Sequence, residues 1–392
     1  MLFSLSDADK WINPDLRSLR AYQRFLVEGK LFGLLIDGKR YELRSSVALG
    51  GCNCLLLVDP ESLQEFVLKS SGAGQGYCLS GQPLLSLEGG PNAWPSDPQG
   101  PAIVRTGCRN FAHFIWNEFD PLLELIEQNQ SFECHQDVNS IFDLTSLPGL
   151  NQVGLHQLSK RPSVRLGSML VTHRVRAHLH DAYGVLDRPS ECIRPQTLLL
   201  GLRGPGKRSI QNELEFFSRL LVQLQPWSDQ IKILFDGITL QNDRGGPLVG
   251  EIQSRIAACD SMIQKLGAQA GSIPFVNLNG LEFSEWLSLA SSVDFYITHE
   301  GTMQHKLAWI FPSKVGLCLI GRKNAASIAK WHQNQSQDSS VVYNLPPELV
   351  ELGDIPDHCV NERDRMFRIV DVDQSVQYVL DLVQQTCGLA QV

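Results

Sequence analysis

From about residue 195 the chain alternates short apolar runs of β type with segments of helical spacing, and this alternation restricts the fold more than any other feature of the sequence. "TLLLGLR" (197–203) reads as a strand. After the turn "GPGKRS", "IQNELEFFSRLLVQL" sets Ile210, Leu214, Phe217 and Leu221 at helical spacing. "IKILFDG" (231–237), "SIPFVNL" (272–278), "DFYITH" (294–299) and "KVGLCLIG" (314–321) read as further strands, with "EFSEWLSLASSV" (282–293) as a helix among them. Parallel strands need a crossover and antiparallel ones do not, so strands separated by helices predict a parallel, doubly wound α/β sheet. "LQNDRGGPLVG" (240–250), rich in Gly, Asp and Asn, reads as a surface loop.

The first half is patterned differently. "KLFGLLIDGKRYEL" reads as a hairpin around Asp37 and Gly38, "CLLLVD" and "EFVLKS" as strands, and "LSGQPLLSLEGGPNAWPSDPQGP" as a long loop. "PAIVR" (101–105) is a strand leading into "NFAHFIWNEFDPLLELIEQ" (110–128), an apolar helix interrupted or restarted near Pro121, and "SVRLGSMLVTHRV" (163–175) adds strand material. At 392 residues the chain can bury two cores, and the two prolines of "LDRPSECIRP" (186–195) mark a boundary between an N-terminal domain, 1–190, and a C-terminal domain, 191–392. "SVQYVLDLVQQTCG" (375–388) reads as a closing helix able to pack on either half.

Composition narrows the partners. Apolar residues at 43% and charged residues at 19% describe an ordinary globular protein, and the formal net charge of −8 argues against a dedicated nucleic-acid binder. "MLFSLSDADKWINPD" has no basic region followed by a long apolar core, so neither a signal peptide nor a transmembrane segment is expected, and the expected location is cytoplasmic. The ten cysteines are scattered, with only Cys52 and Cys54 close together, and read as reduced thiols rather than a metal centre.

Open α/β sheets bind ligands at the carboxyl ends of their strands, where helix N-termini present N–H groups. Two stretches fit. In "GLRGPGKRS" (201–209), Gly201, Gly204 and Gly206 would let backbone N–H groups approach an anion, while Arg203, Lys207 and Arg208 supply charge. Gly201 to Lys207 also fits the first seven positions of a P-loop, with Asp236 as the acidic strand residue, although Arg208 stands where that motif places Ser or Thr. The plain alternative is a basic turn with no ligand. In "YITHEGTMQHKLAWIFP" (296–312), a strand ends at His299, and Glu300, Gly301 and Thr302 open a helix, which makes a second anion or nucleotide site. Its plain alternative is a capped helix with a hydrogen-bonded histidine.

"NFAHFIWNEFDP" (110–121) is the counterpart in the first half. On an α-helix His113, Asn117 and Asp120 share a face, with Phe114 and Glu118 on a neighbouring stripe. A histidine beside acidic groups suits a general base near neutral pH. The surrounding Phe111, Ile115, Trp116 and Phe119 equally describe a core helix with a hydrogen-bonded His113.

Taken in order, the "NFAHFIWNEFDPLL" helix, the "LLLGLRGPGKRSIQNELEF" βα unit and the "LASSVDFYITHEGTMQHKLAWIFP" strand and helix resemble the family 61 glycosyltransferases. Asn110, Phe111 and His113 match the family's first motif, Arg203, Arg208, Asn212 and Glu213 its second, and Asp294 and His299 its third. The sequence departs from the family at Asn117, which stands where an acid is usual, and at Glu300, Gly301 and Thr302, which replace Gly-Ala-Gly.

The resemblance implies a GT-B fold, two Rossmann-like domains facing each other across a cleft, and a soluble, bacterial-like member of the family. It also implies inverting, metal-independent transfer of a sugar from a nucleotide-sugar cosubstrate to a carbohydrate or protein acceptor, with no other cofactor. Arg203, Lys207, Arg208, Asn212, Asp236, His299, Glu300, Gly301 and Thr302 would then bind the nucleotide, and His113, or else Glu118 or Asp120, would take the acceptor proton. Two other classes fit the same residues: a P-loop-like phosphotransferase, and a noncatalytic sugar-nucleotide-binding or scaffold protein.

Overall fold

The computed structural model describes residues 33–36, 39–48, 52–58, 65–70, 102–106, 111–127, 132–136, 144, 147, 150–152, 163–165, 171–187, 195–204, 208–240, 250–321, 336–338, 340–355 and 365–389. Lys207, the Gly/Pro-rich loop before residue 101 and most of the 240–250 loop lie outside them. The chain divides into two compact units, Met1–Val175 and Arg176–Val392.

In the first unit β1 (Gly33–Ile36), β2 (Lys39–Ala48), β3 (Cys52–Val58) and β4 (Glu65–Ser70) form an antiparallel meander, with β1 and β2 paired across Asp37 and Gly38. A second sheet contains β5 (Ala102–Thr106), β6 (Phe132–Gln136), β7 (Asn151–Gln152) and β8 (Ser163–Arg165). All its pairs are parallel, in the order β7-β6-β5-β8, so counted along the chain it reads 3-2-1-4.

The segment after β5 is not one α-helix. A short α1 (Phe111–His113) opens into a π-helical stretch, Phe114–Phe119, and α2 (Asp120–Glu127) follows. Pro121, which has no N–H to donate, comes just after the π-helical stretch. In a π-helix residues five apart become neighbours, as the ring centroids of Phe114 and Phe119, 5.2 Å apart, illustrate. The α-helical spacing expected over 110–128 therefore does not hold from Phe114 to Phe119. A second correction falls on "VTHRV", expected as strand: α3 (His173–Tyr183) begins at His173.

The second unit is the doubly wound sheet that the alternation predicts. Its strands are β9 (Gln196–Gly201), β10 (Ile231–Asp236), β11 (Phe275–Asn277), β12 (Phe295–His299), β13 (Val315–Leu319) and β14 (Val341–Asn344). All five pairings are parallel, in the order β11-β10-β9-β12-β13-β14, which along the chain reads 3-2-1-4-5-6. Every residue of β9 and β12 is buried, which is why both read as continuous apolar runs rather than as alternation.

The connecting helices are α4 (Glu213–Leu224), α5 (Gly250–Ala270), α6 (Phe283–Ala290) and α7 (Thr302–Ile310). After β14 come a small antiparallel pair, β15 (Val350–Leu352) with β16 (Phe367–Ile369), and then α8 (Val372–Cys387). Asp371 caps α8, accepting from the Gln374 amide at 2.9 Å, and Gly388 ends it in the left-handed conformation, φ 63°. Its Val376, Val379, Val383 and Cys387 join Phe216, Leu220 and Leu224 of α4 in the core of this unit. The later turns of α3 also belong here: Arg176 donates to Ser336 and Asp338, and a His180 ring nitrogen lies 2.9 Å from the Ile310 carbonyl. Among the described residues no helix is long and apolar enough to cross a membrane.

Candidate functional site

In the second unit the chain runs outward in both directions from the pair β9 and β12, so their carboxyl ends flank the topological switch point, where open α/β sheets leave a crevice. Gly201 ends β9. A Cβ there would lie 2.5 Å from Met303 Sδ and 3.0 Å from Thr298 Cγ2, so a side chain at this position would have to push Met303 aside at the start of α7.

The turn that follows is organised by Glu213, the first residue of α4. Its Oε1 accepts from the Arg203 amide at 2.8 Å and its Oε2 from the Gly204 amide at 2.9 Å. His299 Nε2, at the end of β12, lies 2.6 Å from Oε1, and both side chains are buried. Burial alone would raise the Glu213 pKa, but the His299 charge and these hydrogen bonds outweigh it and hold the carboxyl below its ordinary value. The expectation that the glycine turn offers its N–H groups to a phosphate therefore needs correcting. At Arg203 and Gly204 the chain's own carboxylate takes that place, which also removes two of the donors a P-loop would use.

Several expected nucleotide contacts are structural. Asn212 bonds the backbone of Ile369 in both directions, donating to its carbonyl at 3.0 Å and accepting from its amide at 3.1 Å, so it ties α4 to β16. Asp236 is fully buried at the end of β10. It accepts from Trp286 Nε1 at 2.9 Å, from the Gly237 amide at 2.9 Å and from Lys306 Nζ at 3.3 Å. Lys306 also donates to Thr239 and lies 4.0 Å over the Trp286 ring. Burial lowers its pKa, with Asp236 opposing. Asp294, matched to the third motif, bonds the Thr197 amide at 2.8 Å at the amino end of the sheet, away from the switch point.

Positive charge remains beside Glu213. Arg203 donates through Nη1 to the Glu300 carbonyl at 3.0 Å, joining the β9 turn to the β12 turn. Desolvation, and then the charges of Arg208 and Arg255, lower its pKa to about 10 against the pull of Glu300 and Glu213. Arg208 holds φ at 58°, a left-handed conformation uncommon for a side chain of its size, and such strain concentrates at functional sites. Gly301, φ 100°, precedes α7 without a side-chain cap, and Gly301, Thr302 and Met303 are half-exposed. The Glu300 side chain is buried. His299 Nδ1 is buried with no hydrogen-bond partner among the described residues.

The first unit has its own switch point between β5 and β8, and α1 carrying His113 begins after β5. Glu118 and Asp120 are fully buried. Asp120 Oδ1 accepts from Thr172 Oγ1 at 2.5 Å and from Arg174 Nε at 3.1 Å, and Arg174 also pairs with Glu124 and Glu127. Asp120 thus anchors the segment before α3 to α2, a different job from the proton acceptance expected of it. The His113 side chain lies outside the described atoms. Cys134, Cys259, Cys318 and Cys387 are buried free thiols, the first two pushed up to about 11 by burial.

Sequence reasoning matched Glu213 to a family motif but gave it no role, although an acid opening a helix after a glycine and arginine turn is a fitting acceptor for that turn's amides. Helix α5 was also missed, because no element was assigned there. Its core stripe, Ile256, Cys259, Ile263, Leu266 and Ala270, carries the signal that would have found the helix. No protein-family model matches the chain, and no curated protein matches it.

Proposed function

We propose that this protein is a nucleotide-sugar-dependent glycosyltransferase that transfers with inversion and without a metal, its two units arranged as GT-B domains. What carries the reading is the convergence of Arg203, Arg208, His299 and the start of α7 at the switch point of a 3-2-1-4-5-6 sheet. Guanidiniums and helix dipoles stabilise a diphosphate leaving group as its bond to the anomeric carbon breaks. The acceptor oxygen attacks that carbon from the opposite face and its proton passes to His113, while the nucleoside diphosphate departs with the electron pair. Glu213 positions His299 and the Arg203 turn and does not itself contact the sugar.

One observation favours a second reading, a noncatalytic nucleotide-sugar-binding protein: both other carboxylates offered as bases, Glu118 and Asp120, are buried, and Asp120 is ion-paired. A single sequence of measurements separates the two. Uridine or another nucleoside diphosphate raises the melting temperature in excess EDTA under both readings, because ligands that bind the native state stabilise it by mass action. Only the enzyme then transfers sugar, and His113→Ala lowers that transfer roughly 100-fold to 10,000-fold with nucleotide affinity retained. Stabilisation by ATP only with magnesium would overturn both in favour of phosphoryl transfer.

A further inference from the structure

Helix α5 crosses the turn that follows β9. Cys259 Sγ lies 3.9 Å from the Leu202 carbonyl, and Met262 Sδ lies 3.9 Å from where a Cβ of Gly204 would stand. Asn279 fixes the same stretch of helix, donating to the Ile256 carbonyl and to Asp260, each at 2.9 Å. Arg255 is one turn before Cys259, on the same side of a helix so held, and close enough to Arg203 for its charge to act there. It is exposed, and no hydrogen bond or ion pair joins it to a described residue.

We infer that Arg255 is a third anion-binding arginine, closing over a diphosphate held from below by Arg203 and Arg208. This deepens the proposed donor site and rests on that reading for the identity of the anion. Three guanidiniums face two carboxylates here, Glu213 and Glu300, and Glu213 is already committed to His299 and two amides. The mutual repulsion is felt at Arg203, whose pKa is depressed by both arginine neighbours. A doubly charged, multi-oxygen guest relieves it, and the planar fork of Arg255 suits two oxygens of one phosphate better than a lysine would.

The test is calorimetric titration of the whole chain, in EDTA, with inorganic pyrophosphate and separately with uridine diphosphate. Arg255→Ala should weaken pyrophosphate roughly 10-fold to 100-fold, the worth of one charged hydrogen-bonding group, and Arg255→Lys should recover only part of the loss. The unliganded melting temperature should not move, since the side chain is exposed. Arg255→Ala binding pyrophosphate as tightly as wild type, while Arg208→Ala does not, overturns the inference and leaves the donor site standing. Pyrophosphate binding that depends on Arg255, with no uptake of any nucleoside diphosphate, supports the inference and overturns the nucleotide-sugar reading. A wild-type chain that takes up neither overturns both.

Discussion

In the first unit β5 ends beside β8 and gives way to a segment whose carboxylates, Glu118 and Asp120, are buried, with Arg174 gathered around Asp120, Glu124 and Glu127. In the second unit β9 ends beside β12 at the corresponding topological place, yet there the buried carboxylate, Glu213, is surrounded by more cations than it neutralises. The same strand order, 3-2-1-4, thus carries an anchor in which carboxylates outnumber the one arginine in one unit and a cation-rich turn in the other. Topology fixes where a crevice can form, and the balance of charge left at its rim decides what enters.

The comparison is broken most sharply at Glu213. Glu213→Ala leaves two amides and an imidazole without their acceptor inside the fold, and should lower the second unit's stability to urea by about 3–5 kcal/mol while also weakening diphosphate binding. Arg208→Ala should act chiefly on the ligand, weakening a nucleoside diphosphate by about 1.5–3 kcal/mol in calorimetry. Asp120→Ala should do the reverse. Thr172 and Arg174 lose a partner while Arg174 keeps Glu124 and Glu127, so stability falls by about 1–3 kcal/mol and nucleotide affinity holds; a fall in affinity would dissolve the contrast between the two sites.

Acid sharpens the same point. The Glu213 carboxyl is held below its ordinary value of 4.5, so the stability it contributes is complete above that pH and is lost as pH falls through its lower folded value. Glu213→Gln should therefore lose less stability than wild type on acidification below about 4.5, measured as urea midpoints across pH. The smallest effect belongs to Arg219 and Asp373, an ion pair 50% and 69% exposed, where Arg219→Ala should leave the urea midpoint unchanged.

The parallel sheet was legible because strands covered on both faces read as unbroken apolar runs, as in "TLLLG" and "FYITH". The two turns at the switch point were legible too, since Gly201 and Gly301 mark close approach and a positive φ. What escaped were the partnerships across sequence. Nothing near Gly204 tells whether its amide meets a phosphate or a glutamate nine residues on, and Asp236 reads as a metal acid until Lys306, 70 residues away, folds over it. The π-helical turn escaped because Phe114 to Phe119 satisfies α-helical spacing equally well, and β14 to β16 are short and half-polar.

Asn212 bonds Ile369 across 157 residues, and α8 closes against α4 on the far side of that loop. Closing a loop of this length costs chain entropy before its contacts repay it, and long-range closure slows folding. The start of α4 is therefore tied down only when β16 and α8 are in place. A chain in which α8 is undocked would leave the apolar face of α4 open to solvent, where proteases and self-association can act.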